Sequence, residues 1–163
     1  MKFSTMMAVA LASVGAVADT LYVNNVTGND GNAGTADLPL KTIQVAISAA
    51  HPGDVISVAP GIYGDEQGST PASTAGQTCR VWIDRSITLK SEVKGGAVIT
   101  GRLADDPQGA VTAIRIADSV ATTKESPVVV EGFVIRDCGT DTANAGGVIG
   151  WSGTGVPSFA DEK

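Results

Sequence analysis

Residues 21–66 read LYVNNVTGNDGNAGTADLPLKTIQVAISAAHPGDVISVAPGIYGDE and predict a short strand, a polar loop, a helix and a second strand, in that order. The helix follows from one apolar face with i, i+3, i+4 and i+7 spacing, formed by Ile43, Ala46, Ile47 and Ala50. Proline cannot continue helical hydrogen bonding, so we expect the helix to end at His51-Pro52-Gly53. The β-branched residues between Val55 and Val58 then predict a brief strand, and Pro60-Gly61 predicts a turn.

The same stretch resembles the N-terminal region of the pectin-lyase-like, right-handed parallel β-helix proteins of bacteria. The residues that carry the resemblance are Tyr22-Val23, Gly28, Asp30, Asn32, Gly34-Thr35, Pro39, Lys41 to Gln44, Ala46-Ile47, Ala50, Pro52 to Asp54, Ile56, Val58, Pro60-Gly61, Tyr63 and Glu66. The resemblance implies an all-β fold, a right-handed parallel β-helix (solenoid) with an N-terminal capping α-helix. It implies no particular activity, because the family mixes enzymes with binding and surface proteins.

A second segment, residues 127–138, resembles a coil of the same family in which a central glycine forms the corner between two strands. Gly132 takes that place here. We expect alternate apolar residues to point into the solenoid and charged residues to face outward or to lie at corners. The inward set is Val128, Val130, Phe133 and Ile135, and the outward set is Glu131, Arg136 and Asp137.

Short β-rich pieces follow the first stretch, separated by Gly, Asp, Ser or Pro; they lie at 81–83, 87–89, 97–99, 113–116, 128–130 and 133–135. We expect residues 87–92 to stack in register on 128–133, and the strands that begin at Val55 and Ile87 to be successive rungs. The polar loop 68–76 has no apolar periodicity and is predicted to project from the body. A β-sandwich is the structural alternative.

Residues 1–18 are predicted to be an export signal peptide. Lys2 gives a positive start, an uncharged apolar run follows, and Ala16-Val17-Ala18 supplies a small-x-small cleavage site. The run is shorter than the roughly 20 residues that span a bilayer, so the chain is predicted not to span a membrane. We expect a secreted or cell-surface protein of bacterial export, with a cap and first coil at 19–66 and further coils at 67–163.

Net charge and cysteine content limit the partners and the site chemistry that the sequence predicts. The net charge of −6 argues against nucleic acid as a partner, and against an acidic polymer unless local positive charge is supplied. Cys79 and Cys138 are predicted to lie two coils apart, farther than a disulfide reaches, although export would permit one. With one histidine in the chain, a Cys–His nucleophile or a zinc site is not predicted.

The candidate site residues are few, and no catalytic, cofactor or metal site is predicted. Trp151, among glycines and a serine, is a candidate platform for a sugar ring, with Arg136 and Asp137 as a candidate binding pair on the outer face. A charged pair at a strand end is ordinarily a solvated corner. Asp105-Asp106 and the segment 29–32 are predicted to be turns rather than calcium sites, and Ca²⁺ enters only through the family resemblance.

The sequence predicts an exported module, not catalytic as encoded, that presents a rigid face to an extracellular polymer such as a polysaccharide. One alternative is the N-terminal fragment of a polysaccharide lyase or glycoside hydrolase, and another is an adhesin or structural surface shaft. The family resemblance implies more coils than the chain holds, so we expect a solenoid that is incomplete at its C-terminus. Two explanations fit such an end: the chain is a truncated product, or its exposed last coil associates with a partner.

Overall fold

The computed structural model describes residues 17–65, 67–76, 78–105, 110–120, 126–139 and 149–151. Within these residues the chain forms short strands, one α-helix and one 3₁₀ turn. The strands are β1 (Thr20–Val23), β2 (Val55–Val58), β3 (Gly61–Tyr63), β4 (Cys79–Ile83), β5 (Thr88–Ser91), β6 (Ala97–Thr100), β7 (Thr112–Ile116), β8 (Val129–Glu131), β9 (Val134–Arg136) and β10 (Ile149–Trp151). The helix α1 spans Ile43–Ala49, and the 3₁₀ turn spans Thr74–Gly76.

The strands form three parallel sheets that the chain visits in turn. Sheet A has the order β1-β2-β5-β8, sheet B the order β3-β6-β9, and sheet C the order β4-β7-β10. Each coil adds one strand to A, then one to B, then one to C, so the described strands make three turns of a solenoid. The predicted parallel β-helix is therefore confirmed, and the sandwich alternative is wrong because every ladder between named strands is parallel.

The register between coils agrees with the predicted stacking, and β2 and β5 are successive rungs as predicted. Thr88 pairs with Val129, so residues 87–92 lie on residues 128–133 as expected. Val55 pairs with Thr88 rather than with Ile87. Ile87 directly precedes β5 and is buried there, and its carbonyl accepts a hydrogen bond from the N–H of Val129 at 2.9 Å.

Inward-facing aliphatic side chains fill the centre of the solenoid. In sheet A the stack is Leu21, Ile56, Leu89 and Val130, aligned by register. Ile56 and Leu89 have no solvent exposure, and burial of such a side chain stabilises the fold by about 1.5–3 kcal/mol. Gly132 has φ of 76° between β8 and β9, a left-handed conformation that suits glycine, and so the predicted corner is present.

Helix α1 packs on the first coil. Thr42 precedes it in an extended conformation, and its hydroxyl accepts a hydrogen bond from the N–H of Val45 at 3.4 Å. Its buried residues are Ile43, Ala46 and Ile47, as the apolar face predicts. The helix contacts β1, β2 and β4, one strand of sheet C and two of sheet A. Its role as a protective cap stays a prediction.

The outermost strand of each sheet in the first coil has hydrogen-bond partners along its free edge. In sheet A, main-chain groups of Gly34 and Leu40 bond to Tyr22 at 2.8 and 2.9 Å. In sheet B, the side-chain amide of Asn25 donates to the carbonyl of Ile62 at 2.7 Å. In sheet C, the amide of Gln44 bonds to both main-chain groups of Trp82. We call these the N-terminal edge contacts.

The polar loop 68–76 projects only in part, with Gly68, Pro71 and Ser73 exposed. Ser69 and Thr70 are fully buried, and the hydroxyl of Ser69 donates to the carbonyl of Ile62. The loop folds back because a buried arginine in the next strand, Arg80, binds the carbonyl of Thr70 at 3.0 Å. Polarity alone is a poor guide here, since a charged group in the body recruits backbone carbonyls from a loop.

Some predictions concern residues that are described only in part. The segment 29–32 forms a turn, with the N–H of Gly31 donating to the side chain of Asn29 at 2.8 Å. Asp106 and residues 152–163 lie outside the described residues.

Both Cys79 and Cys138 are free thiols. Within the described part of the chain, no helix has the length and apolar character that a membrane span requires.

Candidate functional site

The outer face of sheet B carries a row of aliphatic side chains, which we call the aliphatic ladder: Ile62, Val98 and Val134. The three residues are aligned across β3, β6 and β9 by register. Ile62 is 36% exposed and Val134 is 41% exposed. Since strands in a sheet lie about 4.8 Å apart, the ladder presents one apolar side chain per rung along the solenoid axis.

A shallow pocket of about 150 Å³ lies beside this row, toward the carboxyl ends of the strands. We call it the B-face pocket; its lining is Ile62, Gln67, Thr100, Arg102, Arg136 and Asp137. Thr100 and Arg136 pair in register, so the strands of two successive coils place them side by side. Gln67 comes from the loop after β3, and Arg102 and Asp137 follow the ends of β6 and β9. The pocket thus joins polar residues from three coils to the apolar ladder.

The charges of the B-face pocket are two guanidinium groups and one carboxylate. Arg136 Nη1 lies 3.3 Å from Asp137 Oδ2, and both side chains are partly exposed. Asp137 has φ of 52°, a left-handed conformation that turns the chain sharply at the end of β9. This pocket is locally positive in a chain whose net charge is −6.

Arg80 supports the pocket from beneath. It lies in β4, has no solvent exposure, and donates from Nε to the carbonyl of Thr100 at 2.9 Å. Its terminal nitrogens donate to the carbonyls of Gly101 and Arg102 as well as Thr70. Burial lowers the pKa of the Arg80 guanidinium, and the nearby carboxylate of Asp65 opposes that effect.

Asp65 connects the two loops that border the pocket. One oxygen lies 3.3 Å from Arg80 Nη1, and the other accepts a hydrogen bond from the N–H of Ala104 at 3.2 Å. Because Arg80 and Asp65 together bind residues on both sides, the loop that bears Gln67 and the loop that bears Arg102 are held in fixed relation. The pocket therefore rests on a buried, hydrogen-bonded support.

A comparison with protein-family models finds one match, to a family described as "Protein of unknown function (DUF1565)", over residues 26–148. The chain belongs to the DUF1565 family. Searches of curated proteins and of solved structures gave no match. The matched region of this DUF1565 chain runs from the loop after β1 to the segment after β9. It therefore includes Arg80, the aliphatic ladder and every residue that lines the B-face pocket.

Of the residues that the sequence suggested for sugar contact, two lie together in the DUF1565 chain and one lies elsewhere. Arg136 and Asp137 both line the B-face pocket. Trp151 belongs to β10 and pairs with Ile116 in sheet C. Its strand is in a different sheet from β9, so the structure does not unite the three residues in one site.

The other polar members of the pocket were not predicted from the sequence. Thr100, Arg102 and Gln67 lie just outside the predicted strand 97–99 and the predicted loop 68–76. A usable signal was present, because polar residues directly after the buried strand β6 stack on the polar end of β9. Arg80 was missed because a charged residue in a strand is ordinarily placed outward in solvent.

Among the residues that the structure describes in this DUF1565 chain, there is no activated cysteine nucleophile and no cluster of metal-binding side chains. Burial raises the pKa of the Cys79 thiol to about 11, and it also raises the pKa of Cys138. A raised pKa keeps a thiol protonated and unreactive. Among the residues that the structure describes, no group of three or more His, Cys, Asp and Glu side chains could hold a metal ion.

Proposed function

We propose that this chain is an exported β-helix module that binds an extended polysaccharide along the outer face of sheet B. The observation that carries the proposal is the junction of the aliphatic ladder with the B-face pocket, where Arg102, Arg136 and Asp137 converge. Binding sites commonly pair apolar surface with a few convergent polar groups. Sugars offer both counterparts, since their rings have C–H faces and hydroxyl edges.

The geometry of a parallel sheet suits a linear polymer. Each coil repeats the outer surface about 4.8 Å further along the axis, close to the length of one sugar unit in an extended chain. The strands hold the ladder rigidly, and Arg80 and Asp65 hold the bordering loops. A rigid site loses little conformational entropy on binding, which favours affinity.

The charge of the pocket favours a glycan that bears carboxylate groups. The planar guanidinium of arginine matches the two oxygens of a carboxylate, and Arg102 and Arg136 outnumber the single carboxylate of Asp137. The acidic chain as a whole repels such a polymer, so local contacts must outweigh a long-range repulsion that salt screens. Export rests on the predicted leader at residues 1–18.

The test is a binding titration of the purified chain with polyuronates and with neutral glycans. We expect polyuronate binding, weakened about tenfold or more in Arg136→Ala and in Arg102→Ala, since a hydrogen bond to a charged group contributes about 1.5–3 kcal/mol. Lys90→Ala is the matched control, because it removes one positive charge from sheet A and leaves sheet B intact.

Two results would contradict the proposal: no binding to any glycan in the panel, or an equal loss of affinity in Lys90→Ala and Arg136→Ala. The same incubations are followed for new unsaturated ends by absorbance and for new reducing ends. Either product would favour the lyase or hydrolase alternative over a binding module.

A further inference from the structure

The start of β1 is tied to a buried carboxylate. The backbone N–H of Asp19 donates to Asp54 Oδ1 at 2.9 Å, and the carbonyl of Asp19 accepts a hydrogen bond from the N–H of Val55 at 2.9 Å. Val17, two residues earlier, is 82% exposed. The chain therefore joins the body of the solenoid at Asp19.

Asp54 is built to receive a positive group at this point. The residue is only 4% exposed, and its other oxygen, Oδ2, accepts the backbone N–H of His51 at 2.7 Å. The ring Nδ1 of His51 lies 3.6 Å from Oδ2, but that side chain is 85% exposed, and solvent screens its interaction with the carboxylate. A buried carboxylate is costly unless it is paired, so a full positive charge at Oδ1 would stabilise it.

The sequence predicts where such a charge arises. The small-x-small motif Ala16-Val17-Ala18 places the leader's cleavage site at the Ala18–Asp19 bond. A leader-removing peptidase adds water across this amide: the hydroxyl goes to the carbonyl carbon of Ala18 and the proton to the nitrogen of Asp19. Near neutral pH the new acid releases a proton and the new amine takes one up, so Asp19 gains an α-ammonium group.

We propose that leader removal converts the N–H contact of Asp19 into an ion pair between its α-ammonium group and the Asp54 carboxylate, which locks β1 onto β2 in the mature chain. The nitrogen already lies at 2.9 Å from Oδ1, within the range of a charge-assisted hydrogen bond. The inference rests on the predicted leader and is independent of glycan binding, which uses sheet B.

The lock has a defined pH window. An α-amine ordinarily has a pKa near 8, and an adjacent carboxylate raises that pKa in the folded state. The stabilisation is therefore complete below about pH 8 and is lost as pH rises through the raised pKa. At the acid limit Asp54 sets the window: burial raises its pKa, but the N–H groups of His51 and Asp19 together with the His51 ring hold it below the usual value.

The other charged groups near this point are the His51 ring, the exposed Asp19 side chain, and the Arg85–Asp84 pair, in which Arg85 also binds the carbonyl of Ala50. The Asp19 side chain accompanies its own amine in the folded and unfolded chain alike, so its effect on the amine largely cancels. Arg85 and Asp84 neutralise each other. The Asp54 carboxylate is therefore the group that makes the pKa of the α-amine differ between the folded and the unfolded chain.

The first experiment exports the full chain with its leader from a bacterial host and identifies the N-terminal residue of the exported protein by mass spectrometry. We expect Asp19. A retained leader, or any other N-terminal residue, overturns the inference.

The second experiment compares the chain that begins at Asp19 with one that begins at Ala18, which keeps the amide N–H but moves the charge by one residue. We expect the Asp19 chain to melt about 3 °C higher at pH 7, with the difference vanishing above about pH 10. Asp54→Asn in both chains should abolish the difference. Equal melting temperatures at pH 7, or a difference that survives Asp54→Asn, overturns the lock.

A direct titration covers the case in which Asp54→Asn fails to fold. The α-amine is dimethylated with a ¹³C label, which keeps its charge, and its pKa is read by NMR in both chains. A pKa above 8 for the Asp19 chain only is the expected result. Similar pKa values in the two chains contradict the inference. Glycan binding by either chain is scored separately, so failure of the lock and failure of the proposed function remain distinct.

Discussion

The guanidinium of Arg80 is fully buried, and most of its hydrogen bonds go to backbone carbonyls of two loops rather than to side chains. A carbonyl acceptor cannot be mutated away, so the arrangement depends on Arg80 itself. Lysine would keep the charge but not the planar fork that reaches Thr100, Thr70 and Asp65 in different directions. The two loops beside the pocket therefore depend on one side chain.

We expect Arg80→Met to lower the free energy of unfolding by about 3–5 kcal/mol, because it leaves Asp65 and several carbonyls without their partner. Urea denaturation followed by circular dichroism measures the change. Arg136→Met is the control, since its partly exposed pair with Asp137 contributes less than about 1 kcal/mol. Similar losses in the two variants would show that Arg80 is not the support described here.

Helix α1 is hydrogen-bonded to sheet C by the side chain of Gln44. Gln44 Nε2 donates to the carbonyl of Trp82 at 3.1 Å, and its Oε1 accepts the N–H of the same residue at 2.9 Å. The side-chain amide thus satisfies the edge of β4 as a neighbouring strand would. A free strand edge is a template for unwanted pairing, and the helix covers this one.

Gln44→Glu should destabilise the chain by about 1–3 kcal/mol at pH 7, because a carboxylate can accept the N–H of Trp82 but cannot donate to its carbonyl. Protonation of the glutamate restores the donor, and the unfavourable contact raises the pKa of this carboxyl in the folded chain, so the loss should shrink as pH falls through that raised pKa and be absent below about 4. Hydrogen exchange of the Trp82 amide and thermal melts measure both effects. Gln67→Glu, in an exposed loop position, is the matched control, and a comparable loss there would argue against an edge role for Gln44.

Elements with strong local chemistry were predictable from the sequence, and those that depend on distant partners were not. The helix face at Ile43 and Ile47 and the glycine corner at Gly132 follow from spacing and backbone freedom. The pairing of Val55 with Thr88 was not predicted to the residue, because the apolar run begins at Ile87, before the strand does. The roles of Arg80 and of loop 68–76 depend on contacts across coils, which no local pattern encodes.

The corners between the sheets differ in length. The corner from sheet A to sheet B is short in the first turn, at residues 59–60, whereas the corner from B to C spans 101–111 in the second. Ala59 is fixed, since its N–H donates to Val23 and its carbonyl accepts the hydroxyl of Tyr63 at 2.9 Å. The corners that follow sheet B can vary without changing which residues stack.

An insertion of four Gly/Ser residues after Asp105 should cost less than about 1 kcal/mol, because loop closure depends only weakly on length. The same insertion after Ala59 should cost at least about 2 kcal/mol, because it breaks two hydrogen bonds and displaces β3 from β6. Melting temperatures of the two variants measure the contrast. Equal losses of stability in the two variants would mean that the stacking of the strands depends on the length of every corner.

The N-terminal edge contacts use three unrelated chemistries: a main-chain segment for sheet A, the amide of Asn25 for sheet B and the amide of Gln44 for sheet C. A substitution that removes one of these contacts exposes the edge strand of one sheet and leaves the edges of the other two sheets covered. A second copy that stacks on this terminus so as to continue all three sheets needs all three edges to be free together, whereas one free edge offers pairing to a single strand. The terminus is therefore protected by redundancy, and single mutations there should weaken the protein without turning it into a fibre.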